Sequence, residues 1–361
     1  VAHPHELALP RITAAELSAK ACTVVDVRSP AEFAEGHLPG ALNLPLLEDE
    51  QRAEVGTAYH RDGSDSARVE AMRLISRSLP AYLELLRTLS ARSECLAIMC
   101  WRGGDRSGNV VRLLQLVGVR ALQLEGGYRA YRRWLLDGLA VWHPPGPVIT
   151  LYGYTGSGKT AVLRAMRRLA PKWPGPRPAV VDLEGLALHR GSLLGGLNQP
   201  GRRSQKDFDA LLWEELKALR GDYLILEGES AKIGHIFLPA RVAEAIRGGI
   251  PVQLESTPEE RAARILQEYA PKGWSVEEEA DFAESLRRIA SRAPAAASVV
   301  GTAFDEGRYE QAVQALLASY YDPLYHRSCV QEKAFAYTLE SSGNPVRDAE
   351  RLLRDLPALL V

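Results

Sequence analysis

The sequence predicts an α/β protein made of two parallel-sheet units in tandem, and three observations predict it. Apolar runs of strand length are repeatedly followed by glycine-bearing loops and then by stretches with helical spacing. The chain has 361 residues, which at about 150 per domain suggests two domains. Three prolines and a glycine crowd His143-Pro144-Pro145-Gly146-Pro147, which excludes regular structure there and marks a linker. The expected boundaries are residues 1–142, a linker at 143–147, and a second unit over 148–361.

The elements follow in order. Thr23-Val24-Val25-Asp26-Val27-Arg28 is a β-branched run ending in charges, and Ser29-Pro30-Ala31-Glu32-Phe33 after it has a helix-start pattern. Gly36, Pro39, Gly40 and Pro45 then interrupt the chain before a helical stretch from about Ala67 to Leu89. Cys95-Leu96-Ala97-Ile98-Met99 reads as a buried strand, followed by a glycine loop and a helix from about Ser107 to Leu116. In the second unit Val148 to Tyr152 is a strand, a helix starts near Lys159, and strands are expected at Ala179 to Asp182 and Tyr223 to Leu226. Beyond about Thr257 the chain is alanine-rich, charged and helical in period, with few strand candidates.

Composition limits the function classes. Apolar residues make up 46% and charged residues 25%, enough for two cores and too balanced for a disordered or fibrous chain. No run approaches the ~20 apolar residues of a membrane span, and His3, His5 and Glu6 lack a signal-peptide layout, so a cytoplasmic enzyme without a membrane partner is expected. Cys22, Cys95, Cys100 and Cys329 are too few and scattered for a disulfide framework, and offer no C-x-x-C pair for zinc. They fit a reducing compartment. With 44 basic against 45 acidic residues the chain is not a general polycation, so any nucleic-acid site must be local.

The first chemistry-bearing segment is Cys100-Trp101-Arg102-Gly103-Gly104-Asp105-Arg106-Ser107, set between a strand and a helix. Helix N-termini and nearby arginines favour a reactive thiolate, and paired glycines let backbone amides approach an anion. The loop is expected to hold an anion next to a nucleophile. Together with Asp26 to Asn43, which includes Gly36-His37-Leu38-Pro39-Gly40-Ala41, it resembles the rhodanese family over roughly the first 140 residues. Typical small rhodaneses place an arginine five residues after the cysteine, whereas Cys100 to Arg106 spans six, a C-x5-R spacing that resembles phosphatase-type loops. That departure argues against simple thiosulfate sulfurtransfer and for a substrate containing phosphorus. Asp26 and Arg28 are expected to buttress the loop, without chemistry of their own.

The second segment, Gly153-Tyr154-Thr155-Gly156-Ser157-Gly158-Lys159-Thr160, matches G-x-x-x-x-G-K-[ST] between a predicted strand and helix. Its glycines permit a phosphate-cradling turn, Lys159 supplies charge, and Thr160 can hold a magnesium ion, the one metal the sequence implies. The pattern specifies a diphosphate or triphosphate without naming which. Strand-end acids Asp182, Glu184, Glu227 and Glu229 are the candidates for metal partner or base, with Glu227 best placed. From Lys159 to Lys206 there are ten lysines and arginines against two acids, a local net of +8. Within it Arg164, Arg167, Arg168, Arg202 and Arg203 are candidate RNA contacts.

The combination resembles, over essentially the whole chain, the bacterial tRNA 2-selenouridine synthase family. The match rests on the Cys100 and Lys159 loops, on Asp182-Leu183-Glu184-Gly185-Leu186-Ala187 with His189-Arg190-Gly191-Ser192, and on Glu227-Gly228-Glu229-Ser230. An extended segment like Val55-Gly56-Thr57-Ala58-Tyr59 also belongs to the family pattern. The resemblance implies a rhodanese-like three-layer domain followed by a P-loop NTPase-like domain with a helical C-terminal portion. It implies replacement of sulfur by selenium at wobble 2-thiouridine of tRNA, by S-geranylation with geranyl diphosphate and then reaction with selenophosphate. In that scheme the Lys159 loop binds the diphosphate with Mg2+, and the Cys100 loop binds selenophosphate. Cys100 carries selenium, attacks the base or orders the loop, a covalent role being favoured. His189 and Arg190 become candidate substrate contacts, and Trp101 a stacking candidate. Two other readings stay open: an ATP-dependent P-loop kinase or adenylating enzyme fused to a sulfurtransferase, and a non-enzymatic RNA-binding module. Monomer and homo-oligomer are equally compatible with the sequence.

Overall fold

The computed structural model describes residues 9–189, 203–269, 280, 282, 284, 294–327 and 333–360. Arg190, Arg202 and Cys329 lie outside the described residues. The chain divides into two compact units, one of Val1–Gly138 with Asp209–Leu211, the other of Leu139–Phe208 with Leu212–Val361.

The first unit holds a five-stranded parallel sheet of β1 (Arg11–Ile12), β2 (Cys22–Asp26), β3 (Leu42–Asn43), β4 (Cys95–Met99) and β5 (Leu122–Leu124), ordered β1-β5-β4-β2-β3. The continuous apolar run of β4 is what a strand buried on both faces requires. Val25, Leu96 and Ile98 pack on Leu86 of the helix Leu79–Ala91 and on Val110, Val111 and Leu114 of the helix Asp105–Leu116. Cys22 and Cys95 sit opposite each other in the β2–β4 register and are joined by a disulfide, against the expectation of unpaired thiols. The pairing is a consequence of strand register, which residue spacing does not reveal.

Asp26 and Arg28, at the end of β2, form a fully buried ion pair, both 0% exposed, with 2.6 Å between Arg28 Nη2 and Asp26 Oδ2. Arg28 also donates to the Glu32 and Gly36 carbonyls at 3.0 and 2.9 Å, and its guanidinium lies 4.3 Å from the Tyr128 ring centre and 5.7 Å from that of Trp101. The expected buttress is thus a charged rivet beneath the Cys100 loop.

Helix begins earlier than periodicity indicates, at Asp49, and continues to Ile75 with a non-helical Gly63 at φ 86°. Val55 to Tyr59, expected to be extended, is helical. Arg73 Nη2 lies 3.2 Å from Glu54 Oε1, although residues 19 apart on a straight helix would be separated by about 28 Å. The segment is therefore a helical hairpin folded at Gly63, whose positive φ suits a residue without a Cβ.

The second unit carries β6 (Val148–Tyr152), β7 (Pro178–Val180), β8 (Tyr223–Glu227), β9 (Lys232–Ile233), β10 (Ile236–Phe237), β11 (Ile250–Glu255) and β12 (Tyr337–Glu340). Five form a parallel sheet ordered β12-β11-β6-β8-β7, while β9 and β10 form an antiparallel ribbon. The C-terminal portion is helical as expected except for β12, which pairs with β11 along the sheet edge. The helix Pro345–Asp355 then returns its apolar face, Ala349, Leu352 and Leu353, to the same core as Val162 and Met166 of the helix Lys159–Leu169.

Removing one partner of a buried ion pair leaves an uncompensated charge, at a cost of about 3–5 kcal/mol. Arg28→Ala is expected to destabilise the first unit by that amount in denaturant unfolding followed by circular dichroism. A change within about 0.5 kcal/mol, the usual range for surface substitutions, would contradict the role given to the pair.

Candidate active sites

The first site is assembled at the end of β4. Cys100 is 3% exposed, and its Sγ lies 3.1 Å from Ser107 Oγ in the first turn of the helix Asp105–Leu116. Gln123 on β5 locks this arrangement, its Nε2 donating to Ser107 Oγ at 2.9 Å and to the Gly103 and Gly104 carbonyls at 2.8 and 3.0 Å. Gly103 has φ 62°, and a Cβ there would fall 2.7 to 2.8 Å from backbone atoms of Leu124, Gly126 and Gly127. No other residue fits that place. The Cys100 and Trp101 carbonyls accept from the Tyr128 and Arg129 amides at 2.9 and 3.0 Å, closing the loop onto the next helix.

Arg106 forms a bidentate pair with Glu32, at 2.5 and 3.0 Å. Burial alone would raise the Glu32 carboxyl, but the Arg106 hydrogen bonds and charge outweigh it and hold the group below its ordinary value. Arg102 and Asp105 are exposed, and Asp105 meets Arg68 of the helical hairpin at 3.1 Å. Glu32 and Gln123 are site residues that the motif reading passed over. Glu32 lies inside the quoted rhodanese-like segment, and its spacing from Asp26 and Arg28 was the available signal.

The second site follows β6. Gly156 and Gly158 take φ 80° and 92°, and Gly158 caps the helix that begins at Lys159. Lys159 is buried, donates to the Gly153 carbonyl at 2.6 Å and lies 5.2 Å from the Tyr325 ring centre. The Gly153 amide donates to Tyr325 Oη at 3.1 Å, and the buried Ser157 hydroxyl has no protein partner. Two arginines absent from the sequence reading anchor the loop from the helix Pro258–Tyr269: Arg261 donates to the Thr155 carbonyl at 2.8 Å and Arg264 to that of Gly156. Arg261 is itself held by Asp322 at 2.5 Å. Their i, i+3 spacing on a helix was visible; the loop they would meet was not.

Three of the four expected acids converge. Thr160 Oγ1 lies 2.7 Å from Glu184 Oε2 and 2.9 Å from Glu227 Oε1, and the Glu184 amide donates to Glu227 Oε2 at 3.0 Å. Asp182 caps the helix Leu183–Ala187 through the Gly185 amide and pairs with Arg164 at 2.6 Å. Burial first, then the Glu229 charge, pushes the Glu184 carboxyl up to about 8. Glu227 is likewise raised by burial and by Glu184, and Glu229 by burial. A cluster with more carboxylates than protons or cations suits a hard cation. Among the described residues no three acidic, histidine or cysteine side chains form a closed metal cage. One carboxylate and one hydroxyl, with the remaining positions left to water and substrate phosphate, is the pattern Mg2+ prefers.

The expected basic contacts are dispersed. Arg164 is engaged by Asp182, Arg167 pairs with Glu215 at 2.6 Å, Arg168 is exposed, and Arg203 donates to the Leu186 carbonyl at 3.2 Å. His189 packs its ring where a Cβ on Gly234 would sit.

Residues 146–349 match the family model described as the tRNA 2-selenouridine synthase AAA domain, and residues 10–133 match the rhodanese-like domain. The tRNA 2-selenouridine synthase of Nitrosomonas eutropha is 33% identical over 68% of this chain and 62% of its own length. That of Pseudomonas syringae pv. tomato is 32% identical over 89% of this chain and 91% of its own, and that of Nitrosomonas europaea 28% over 90% and 93%.

The acid cluster carries a pH signature. Because Glu184 binds its proton more tightly folded than unfolded, stability contributed by its protonated form is full below about pH 4.5 and declines as pH rises to about 8. Glu184→Gln is expected to raise the melting temperature of the ligand-free protein by several degrees at pH 9 and to leave it unchanged at pH 4. Equal effects at both pH values would show that the carboxyl is not perturbed.

Proposed function

The chain belongs to the tRNA 2-selenouridine synthase family, and from that membership we propose that it converts wobble 2-thiouridine of tRNA to 2-selenouridine in two steps, using geranyl diphosphate and then selenophosphate. The observation that carries this reading is the presence, in one chain, of a phosphate-cradling loop with its lysine and acid cluster and of a separate loop centred on a buried cysteine. One step needs a leaving diphosphate, the other a sulfur nucleophile.

In the first step the 2-thiouridine sulfur attacks C1 of geranyl diphosphate. The C1–O bond breaks, pyrophosphate leaves, and the N3 proton is lost as the S-geranyl base forms. Lys159, the loop amides and the Ser157 hydroxyl meet the growing negative charge on the pyrophosphate. Thr160 and Glu227 would hold Mg2+, which supplies charge neutralisation to the leaving group when bound. A glutamate raised to about 8, as Glu184 is, suits acceptance of the N3 proton near neutral pH.

In the second step Cys100 Sγ attacks C2 of the S-geranyl base, C2–S breaks, and geranylthiol departs with a proton. Selenide, released from selenophosphate by water with phosphate as the other product, then displaces Cys100 from C2. The thiol is regenerated and N3 regains its proton. No oxidant or reductant is required. Ser107, 3.1 Å from the sulfur, is placed to take part in the thiol's hydrogen bonding.

The test is incubation with 2-thiouridine-containing tRNA, geranyl diphosphate and Mg2+, with and without selenophosphate, read by nucleoside mass spectrometry. Lys159→Ala is expected to slow geranylation by about 10²-fold, the scale of losing one charge-stabilising donor. Cys100→Ala is expected to accumulate the geranylated base without selenation. Selenation by both variants at wild-type rates, or modification only when ATP is added, would overturn the reading.

A further inference from the structure

The helical hairpin Asp49–Ile75 makes no hydrogen bond to Cys100, Trp101 or Ser107, yet it walls a cavity of about 1150 Å³ that the Cys100 side chain also lines. An anion such as selenophosphate needs a small part of that volume. The walls are largely apolar: Val55 and Tyr59 from the first arm, Ala71, Met72 and Ile75 from the second, and Leu113 from the helix Asp105–Leu116. Tyr59 and Met72 remain 57% and 52% exposed on this concave surface. Large apolar side chains left wet in a recess beside a nucleophile are binding surface, since folding alone gains nothing from them there. Arg52 and Arg102, both exposed, add positive charge to the same lining.

We infer that this recess binds the geranyl chain of the S-geranylated base, with the base held so that C2 faces Cys100 Sγ and the RNA backbone meets the arginines. The assignment rests on the two-step reading above and deepens it. The apolar wall accounts for a ten-carbon chain, the arginines for the polyanion that carries it, and the buried sulfur for the bond to be broken. A consequence is substrate order. The bare 2-thiouridine base has nothing to fill the recess and is bound weakly at Cys100, so selenation waits for geranylation.

The test measures equilibrium affinity of the full chain for anticodon stem-loops whose 2-thiouridine is S-alkylated with methyl, dimethylallyl or geranyl. Affinity is expected to rise by at least about tenfold per isoprene unit, because each buried carbon contributes favourably. Ala71→Trp and Val55→Trp, which fill the recess from opposite arms, are expected to reduce the geranyl-to-methyl affinity ratio at least tenfold. Their circular-dichroism melts are compared with wild type, and a variant that fails to fold is replaced by Met72→Asp, which places a charge on the same wall at an exposed position. An unchanged ratio in folded variants overturns the assignment. Nucleoside analysis separates this from failure of the wider reading: wild-type protein that forms both modified bases with an unchanged ratio removes only the recess, whereas wild-type protein that forms neither base removes the two-step reading and the recess with it.

Discussion

A parallel strand that runs into a glycine-bearing loop and then a helix leaves backbone N–H groups without intrahelical partners at its C-terminal end. Both sites of this chain are built on that constraint. Cys100 follows β4 and the Gly153 to Thr160 loop follows β6, and each of these is the middle strand of its five-stranded sheet. In each unit a strand bonded directly to the middle one delivers the supporting charges at the same end. β2 ends in Asp26 and leads to Arg28; β8 ends in Glu227. The sheet topology therefore decides where an anion can sit before any side chain is chosen.

The two sites differ in how their charges are settled. Around Cys100 nearly every charge already has a partner: Asp26 with Arg28, Glu32 with Arg106, Asp105 with Arg68. Such a site is ordered before substrate arrives, which suits a nucleophile that must meet one carbon atom in one geometry. Around Thr160 the balance runs the other way, with buried glutamates pushing one another's carboxyls upward. That cluster is completed only by a cation and a phosphate, so binding relieves a strain that the empty protein carries.

Legibility in the sequence followed the range of the interactions. Both loops were readable because strand, glycines and reactive residue lie within a few positions of each other, and the expected Asp26 and Arg28 buttress lies beside a motif residue. Thr160, Glu184 and Glu227 meet as the strand-end reading anticipated, because strand ends in a parallel sheet share one edge. What failed to show depends on partners distant in sequence. β12 exists because β11 offers an edge, Cys22 bonds Cys95 because β2 and β4 are in register, and Arg261 and Arg264 matter because their helix lands on the Thr155 and Gly156 carbonyls. The hairpin at Gly63 was hidden for a different reason: its apolar residues do not follow one helical stripe, since several face a cavity and not the core.

The central claim is that the phosphate loop consumes a prenyl diphosphate and not a nucleoside triphosphate. The most direct measurement is the release of pyrophosphate from geranyl diphosphate, followed against the geranylated base formed on 2-thiouridine tRNA without ATP. One pyrophosphate per modified base, with no ADP or AMP produced when ATP is supplied, is the predicted result. Modification that requires ATP and releases ADP or AMP in proportion would contradict the account.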